Sequence, residues 1–293
     1  MKLLIITPFK NEQTTIERTL QSICRQTVEP IKWLLVDDNS SDHSASVVQR
    51  YESKYPFIQY IKREVQSARA TGANIVSIFN EALDIAAKQS IEWDVVLKLD
   101  ADLVIDKNNY LAFMLDKFSH HAELGIASGA TYIINGGRKS VESNHKWHTQ
   151  GPNKFYRKEC LQAMGGLKPF KGWDGIDDIL ARHKGYITQK FFEQPILHLY
   201  PTQSRSAEGG VKRGLVREAD GYQNRNYPFY MFLLKSFSLI RKKGLYSSLY
   251  FLCYGIKIKL FKKPLVNKEE SRVIRRFLLN RFTGKVKFLA MSK

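Results

Sequence analysis

The 293-residue chain has only three cysteines, Cys24, Cys160 and Cys253. An odd number at wide spacing supplies neither a disulfide framework nor a zinc signature. A chain of this length can bury a full core without such staples. Long apolar runs are lacking too. The richest stretch, Leu245 to Ile256, is broken by serines and Gly255 and closed by Lys257 and Lys259. That is well short of the roughly 20 residues of a spanning helix. The opening MKLLIITPFKNE loses its apolar character at Pro8 and Lys10 without a small-residue cleavage site, so it reads as a first buried strand rather than a signal peptide. Neither an internal repeat nor a low-complexity segment is present.

Acidic residues are scarce in one region. Val211 to Lys293 carries 20 Lys and Arg against 4 Asp and Glu, whereas the first 210 residues carry 26 against 24. Most of the net charge of +18 therefore sits in the last third. A nucleic-acid-binding enzyme spreads its cations around its groove. Cations gathered in a tail rich in Phe, Tyr and Leu point instead to an anionic membrane surface, and to no nucleic acid.

What is present first is alternation. Leu3 to Thr7, Ile31 to Val36, Phe57 to Ile61 and Trp93 to Leu99 read as strands. Between them lie helical patterns: Ile16, Leu20, Ile23 and Cys24; Val47, Val48 and Tyr51; and a longer one with Ala73, Val76, Phe79, Asn80, Leu83 and Ala87 on one face. Thr14 and Glu17 have capping-box spacing at the start of the first helix. Strands separated by helices of this length predict βαβ units, a mostly parallel sheet and ligands at the carboxyl ends of the strands. After Gly129 the alternation weakens, and glycines, aromatics and histidines become frequent, as suits acceptor-side loops. Beyond about Asn226 apolar clusters alternate with Lys and Arg. Phe229, Phe232, Leu233, Phe237 and Ile240, and later Ile274, Phe277, Leu278 and Phe282, recur at helical spacing. These predict amphipathic helices that both pack on the preceding domain and bind an interface.

Polar and acidic groups follow three of the four strands: TPFKNE after the first, DDNSSD after the second and Asp100-Ala101-Asp102 after the fourth. In a parallel sheet all three clusters meet at one edge. Asn11, Ser41 and Asp42 read as turn and cap residues. Alternate carboxylates at a strand end can turn toward one divalent ion, and Mg²⁺ and Mn²⁺ favour carboxylate oxygen together with substrate phosphate. Asp100 and Asp102 are thus candidates for stabilising a departing diphosphate. Lys98 and Arg69 could pair with diphosphate or with neighbouring carboxylates, and a structural ion pair is the better reading for each.

Through TPFKNE, VDDNSSD, KLDADL and GGLKPFKGWDGIDDILARHKGY, residues 1 to 205 resemble the family 2 inverting glycosyltransferases of the GT-A fold. The resemblance implies a nucleotide-sugar pocket formed by Thr7, Pro8, Glu12, Asp38 and Asp100. It also implies a metal, Mn²⁺ or Mg²⁺, at Asp102, and inversion by direct displacement. Displacement needs a general base for the acceptor hydroxyl. Gly175-Ile176-Asp177-Asp178 is similar to the family's Gly-Glu-Asp segment, with Ile176 in place of the glutamate and one residue fewer before Arg182. On that match Asp177 is the base, with Asp178 and Asp174 as alternatives and helix capping as the structural role. His198 matches a histidine that completes the metal shell in related enzymes, or is a satisfied strand-end histidine. Arg205 stands where a diphosphate contact is plausible. Trp147, His148 and Trp173 are candidates for the acceptor mouth, with core packing the default for each tryptophan.

The expected organisation is a GT-A domain over residues 1–225 followed by a basic helical extension over 226–293. The expected activity is transfer from a nucleotide-diphosphate-sugar to a glycan or lipid-linked acceptor, by a cytoplasmic protein peripheral on the inner face of the membrane. Two alternatives differ in kind. A sugar nucleotidyltransferase would carry a glycine-rich phosphate loop after its first strand, which TPFKNE is not. A catalytically inactive sugar-nucleotide-binding protein would not need Asp100, Asp102 and Asp177 intact.

Overall fold

The computed structural model describes residues 1–64, 73–142, 145–200, 210–282 and 284, with Phe282 described by its backbone alone. Arg69 and Arg205 lie outside the described residues. The amino-terminal half alternates as expected: β1 (Leu3–Phe9), α1 (Ile16–Cys24), β2 (Lys32–Asp37), α2 (Ser44–Glu52), β3 (Ile58–Lys62), α3 (Ala73–Lys88) and β4 (Val95–Leu99). Then follow β5 (Leu103–Ile105), α4 (Tyr110–His120), β6 (Leu124–Asn135), β7 (Arg138–Val141), β8 (Asn153–Arg157), α5 (Lys158–Ala163), α6 (Trp173–His183) and β9 (Ile187–His198). The helices α7 (Gly210–Asn224), α8 (Phe229–Phe261) and α9 (Lys268–Phe282) complete the chain.

Among the described residues the strands form one sheet of order β3-β2-β1-β4-β8-β6-β9-β5, with β7 paired to β6. The sheet is mixed rather than mostly parallel. β3, β2, β1 and β4 run parallel, as do β6 and β9, but β8 enters antiparallel between β4 and β6, and β5 and β7 are antiparallel to their neighbours. The strands after Gly129 escape periodicity analysis because they are buried on both faces or carry polar residues to the sheet edge.

Side-chain alternation on β1 shows how two cores are built on one sheet. Leu3, Ile5 and Phe9 face α1, α2 and α4 together with Trp33, Leu35 and Leu97. Leu4 and Ile6 face the other way, toward α3, α5, α6 and α9, with Phe79, Ile176, Ile179, Ile274 and Leu278. The capping box does not form. Thr15 occupies the N-cap of α1 without a side-chain cap bond. Its hydroxyl donates to Glu12 Oε2 at 2.9 Å, and Glu17 instead pairs with Arg50 at 2.6 Å.

The tail divides into two parts. α9 covers the main core through Ile274 and Leu278. α7 and α8 share a separate cluster, with Leu215 and Ala219 against Phe232, Leu239, Phe251 and Ile258. α8 is not one rod. Gly244 has non-helical angles (φ 80°, ψ 168°), and the two arms fold back on each other there. Ser248 Oγ donates to the Ser236 carbonyl at 2.8 Å, and the Phe232 and Phe251 rings lie 5.8 Å apart.

The sheet also depends on one close approach. A Cβ at Gly129 would stand 2.5 Å from the Gln194 carbonyl oxygen, where the β6–β9 register shifts. Gly129→Ala should therefore lower stability by about 1–3 kcal/mol, the usual cost of overpacking. Gly214→Ala, in α7 with nothing within 4 Å of its added Cβ, should raise it by roughly 0.5–1 kcal/mol. Urea midpoints of the two variants check this contrast, and equal shifts would show that the close approach is not real.

Candidate active site

The strand order places the ends of β2, β1 and β4 side by side, and so gathers the three polar clusters at one edge. The first two interlock. Asn11 and Asn39 adopt left-handed angles (φ 54° and 59°), which asparagine tolerates better than most residues. Asn11 N donates to Ser40 Oγ at 3.0 Å, Ser41 N to Asn11 Oδ1 at 2.8 Å and Gln13 N to Asp42 Oδ2 at 3.1 Å. Asn11, Ser41 and Asp42 thus build the turns. Glu12 is half-buried beside them, its backbone N–H donating to Ser44 Oγ at 2.7 Å.

Asp38 is 2% exposed and surrounded by donors. Arg63 bonds one oxygen, Asn74 Nδ2 donates to the other at 2.9 Å, and Lys10 Nζ lies 3.8 Å away. Arg63 continues to Glu81 at 2.7 Å. Pro8 is buried on the same strand end, in register with Val36. Thr7 is fully buried, and its hydroxyl accepts the Trp33 indole N–H at 2.9 Å. Its side chain therefore ties β1 to β2.

Antiparallel pairing of β5 with β9 sets Leu103 opposite His198 and so brings His198 to Asp102. Nε2 of His198 lies 3.5 Å from Asp102 Oδ2, and Nδ1 lies 3.0 Å from Glu142 Oε2. Burial alone would lower the imidazole pKa, but its bonds to Asp102 and Glu142 prevail and raise it to about 10. Glu142 follows the β6–β7 hairpin, and no sequence pattern marks it. Carboxylate, imidazole and carboxylate in line is the way an outer carboxylate orients a ligating histidine. Asp100 Oδ1 is held by Lys98, whose Nζ also donates to the Gly151 carbonyl at 2.9 Å. Lys98 is thus a structural ion-pair partner, as the sequence indicated. Burial pushes the Asp100 carboxyl up, against the pull of Lys98 and helped by Asp102. Among the described residues no group of three or more His, Cys, Asp or Glu is already arranged to hold a metal. Asp102 and His198, with Asp100 alongside, still fit a hard divalent ion that takes its remaining oxygens from a diphosphate.

The opposite wall is α6. Asp177 is 5% exposed. Lys154 Nζ donates to both of its oxygens at 2.7 Å, and Tyr156 OH donates to Oδ2 at 2.6 Å. Burial raises its pKa to about 6 against the pull of Lys154. Its carboxylate faces its lysine and tyrosine partners. Asp178 is fully buried too. It accepts from Thr149 N at 3.1 Å and Thr149 Oγ1 at 2.5 Å, and its Oδ2 lies 2.8 Å from His148 Nδ1. Burial would raise its pKa, but Lys154 and His148 bring it below the ordinary value.

Asp174, in the first turn of α6, is the half-buried carboxylate of the segment. Its side chain lies against Gly151, where an added Cβ would meet Asp174 Oδ2 at 3.4 Å. The same short segment anchors Asp100, whose N–H donates to the Pro152 carbonyl at 2.8 Å. Asp174 and Asp100 thus border one turn, Gly151–Pro152, ahead of β8. Trp173 belongs to the core, with its ring 5.4 Å from Lys98 Nζ and 5.5 Å from Lys154 Nζ. Trp147 packs on Phe277 at 5.0 Å. His148 stays partly exposed above Asp178. Lys154 and Tyr156 share a strand face with Ile126 and α6, and the alternation in NKFYR is the one sequence signal that pointed to them.

Comparisons with known proteins bear on the family and the fold. The model for Glycosyl transferase family 2 matches residues 4–173, so α6 beyond Trp173 and His198 fall outside the match. Over 125 residues, 43% of the chain, it is 28% identical to a poly-beta-1,6-N-acetyl-D-glucosamine synthase of Staphylococcus aureus. A Staphylococcus epidermidis protein of the same name is 27% identical over the same length. The aligned part spans only 27% of either relative. A mannosyltransferase from Pyrobaculum calidifontis, solved with GDP-Man and Mn²⁺, superposes with TM-score 0.57 at 15% identity, covering 96% of this chain and 80% of that one. S. aureus TarS in complex with UDP-GlcNAc superposes with TM-score 0.57 at 16% identity, covering 98% and 82%. The chain belongs to glycosyl transferase family 2 and carries the GT-A fold.

Proposed function

We propose that the chain is an inverting glycosyltransferase that takes its sugar from a nucleotide-diphosphate-sugar and delivers it to a glycan or lipid-linked acceptor at a membrane. The observation that supports it most is the meeting of three clusters at one sheet edge: Asp38 with Arg63 and Asn74, the Asp100–Asp102 pair with His198, and Asp174 across Gly151. On this reading Asp38 and Glu12 lie on the nucleoside side. The loops after β1 and β2 are already cross-linked, so little conformational freedom is lost when the base enters.

A divalent cation, Mn²⁺ or Mg²⁺, held by Asp102 and His198 and aided by Asp100, would supply Lewis-acid neutralisation of the departing diphosphate. His198 must give up its extra proton to serve there, with Glu142 keeping Nδ1 occupied and Nε2 free. Asp174 takes the base role that the sequence match gave to Asp177. It is half-buried, no side chain among the described residues hydrogen-bonds its carboxylate, and it borders the Gly151–Pro152 turn that anchors Asp100. As the acceptor oxygen attacks the anomeric carbon, its proton passes to the Asp174 carboxylate and the nucleoside diphosphate leaves on the opposite face, which inverts the centre. Solved relatives with GDP-Man or UDP-GlcNAc leave both bases open here. The cations of the tail favour an acceptor held at an anionic surface.

Asp102→Ala should abolish transfer and remove the Mn²⁺ dependence of UDP or GDP binding. Isothermal titration with and without Mn²⁺ checks it, and unchanged metal-dependent binding would sink the assignment.

Asp174→Asn and Asp177→Asn should fail differently. The first should keep its fold and donor binding while turnover falls roughly two to four orders of magnitude, as for other positioned bases. The second should first show a lower unfolding temperature, because it breaks the Lys154 pair. Losing one partner of a buried pair costs about 3–5 kcal/mol. Normal turnover in Asp174→Asn beside a well-folded, inactive Asp177→Asn would return the base to Asp177.

A further inference from the structure

The tail that the sequence marks as basic and amphipathic is resolved by the fold into two unlike pieces. In α9 the apolar stripe is spent on the core, through Ile274 and Leu278. In α8 each arm has two apolar faces. The inner faces, with Phe232, Leu239, Phe251 and Ile258, pack on each other and on α7. The outer faces should be polar in a helix that only packs on a domain. Instead Leu234 (50%), Phe237 (68%) and Ile240 (42%) of the first arm and Leu245 (61%), Leu249 (52%) and Leu260 (73%) of the second are exposed. They recur at helical spacing, so each arm presents a continuous stripe and the hairpin presents two.

Charge selects the occupant of this face. α8 contains six Lys and Arg and no Asp or Glu. Three of the cations, Arg241, Lys242 and Lys243, stand exposed at the Gly244 turn, between the two stripes. A second copy docking here would bring cation against cation. A polynucleotide would gain nothing from exposed leucines. No helix among the described residues is long and apolar enough to cross a membrane. Apolar stripes beside a cationic turn, too short to span, match the interface of an anionic bilayer, where apolar burial and attraction to headgroups add together.

We propose that the α8 hairpin is a monotopic docking element. Its outer stripes enter the headgroup and acyl boundary of an anionic leaflet while Arg241, Lys242 and Lys243 meet lipid phosphates. This rests on the reading above only in placing the acceptor at that membrane. Docking through α8 leaves α9 as a covering element of the catalytic core, so binding should not depend on Arg272, Arg275 or Arg276, although all three are exposed.

Cys253 offers a native reporter. It is the exposed cysteine of the three, on the second arm, while Cys160 is buried and Cys24 half-buried. The full chain carrying an environment-sensitive dye at Cys253 should shift its emission to the blue on vesicles of phosphatidylglycerol and phosphatidylcholine. It should shift little on phosphatidylcholine alone, and added salt should weaken the response as screening shortens. A Phe237→Ser/Leu249→Ser double variant and an Arg241→Glu/Lys242→Glu/Lys243→Glu triple variant should each lose about tenfold or more in vesicle flotation, since both contributions are needed. Arg272→Glu/Arg275→Glu/Arg276→Glu should float as the parent does. Titration of UDP with Mn²⁺ into each variant reports the catalytic domain independently. If nucleotide binding is absent throughout while flotation behaves as described, the transferase reading fails and the docking element stands. If both α8 variants float undiminished, or only the α9 variant is lost, the hairpin is not the docking element. If the parent ignores anionic vesicles but forms dimers that Phe237→Ser/Leu249→Ser abolishes, the face belongs to a second copy and the proposal is overturned.

Discussion

Two lysines buried at facing positions of neighbouring strands hold the two halves of the site together. Lys98 on β4 pairs in register with Lys154 on β8, and both are essentially without solvent. Like charges directly opposite each other destabilise a sheet, and buried charges without partners are costly. Each lysine is therefore compensated. Lys98 takes Asp100 and the Gly151 carbonyl, while Lys154 takes Asp177, the Asp174 carbonyl and, at 3.6 Å, Asp178. The compensation fixes the site, because one set of partners is at the end of β4 and the other is on α6. The Trp173 ring stands close to both ammonium groups, so the strand-end carboxylates and α6 are positioned by one buried cluster.

The edge formed after β1 and β2 is organised differently, chiefly by short hydrogen bonds between two loops. The two left-handed asparagines turn the chain so that backbone N–H groups of one loop meet side-chain oxygens of the other. Asp38 lies beneath them, held by Arg63, which is itself divided between Asp38 and Glu81. A carboxylate with this many donors is held in one orientation.

The carboxy-terminal helices show that one composition can serve two purposes. α9 closes the main core and brings Phe277 to Trp147, so removing it would uncover the catalytic domain. The α8 hairpin makes its own small core with α7 and leaves apolar surface outward. A boundary at residues 225 and 226 therefore separates α7 from its packing partner α8.

The sequence by itself determined the doubly wound half of the sheet. Alternate residues of β1, β2 and β4 are apolar on both faces, and the intervening helices have matching stripes, so local pattern and tertiary burial agree. It also determined that Asp38, Asp100 and Asp102 meet, because parallel strands put their carboxyl ends on one edge. Only the tertiary structure decided which acid on α6 faces outward. Asp174, Asp177 and Asp178 are alike in type and local propensity, and what separates them is Lys154 and His148, distant in the chain and marked by no motif. Glu142 reaches His198 by the same non-local route, through a strand pairing that periodicity does not reveal. The fate of the tail was likewise undecided locally, since an apolar stripe looks the same in sequence whether it meets a core or a solvent face. Packing buries Ile274 and Leu278 and leaves Phe237 and Leu249 exposed, because α9 fits against α6 whereas α8, bent at Gly244, already satisfies its inner faces with itself and α7.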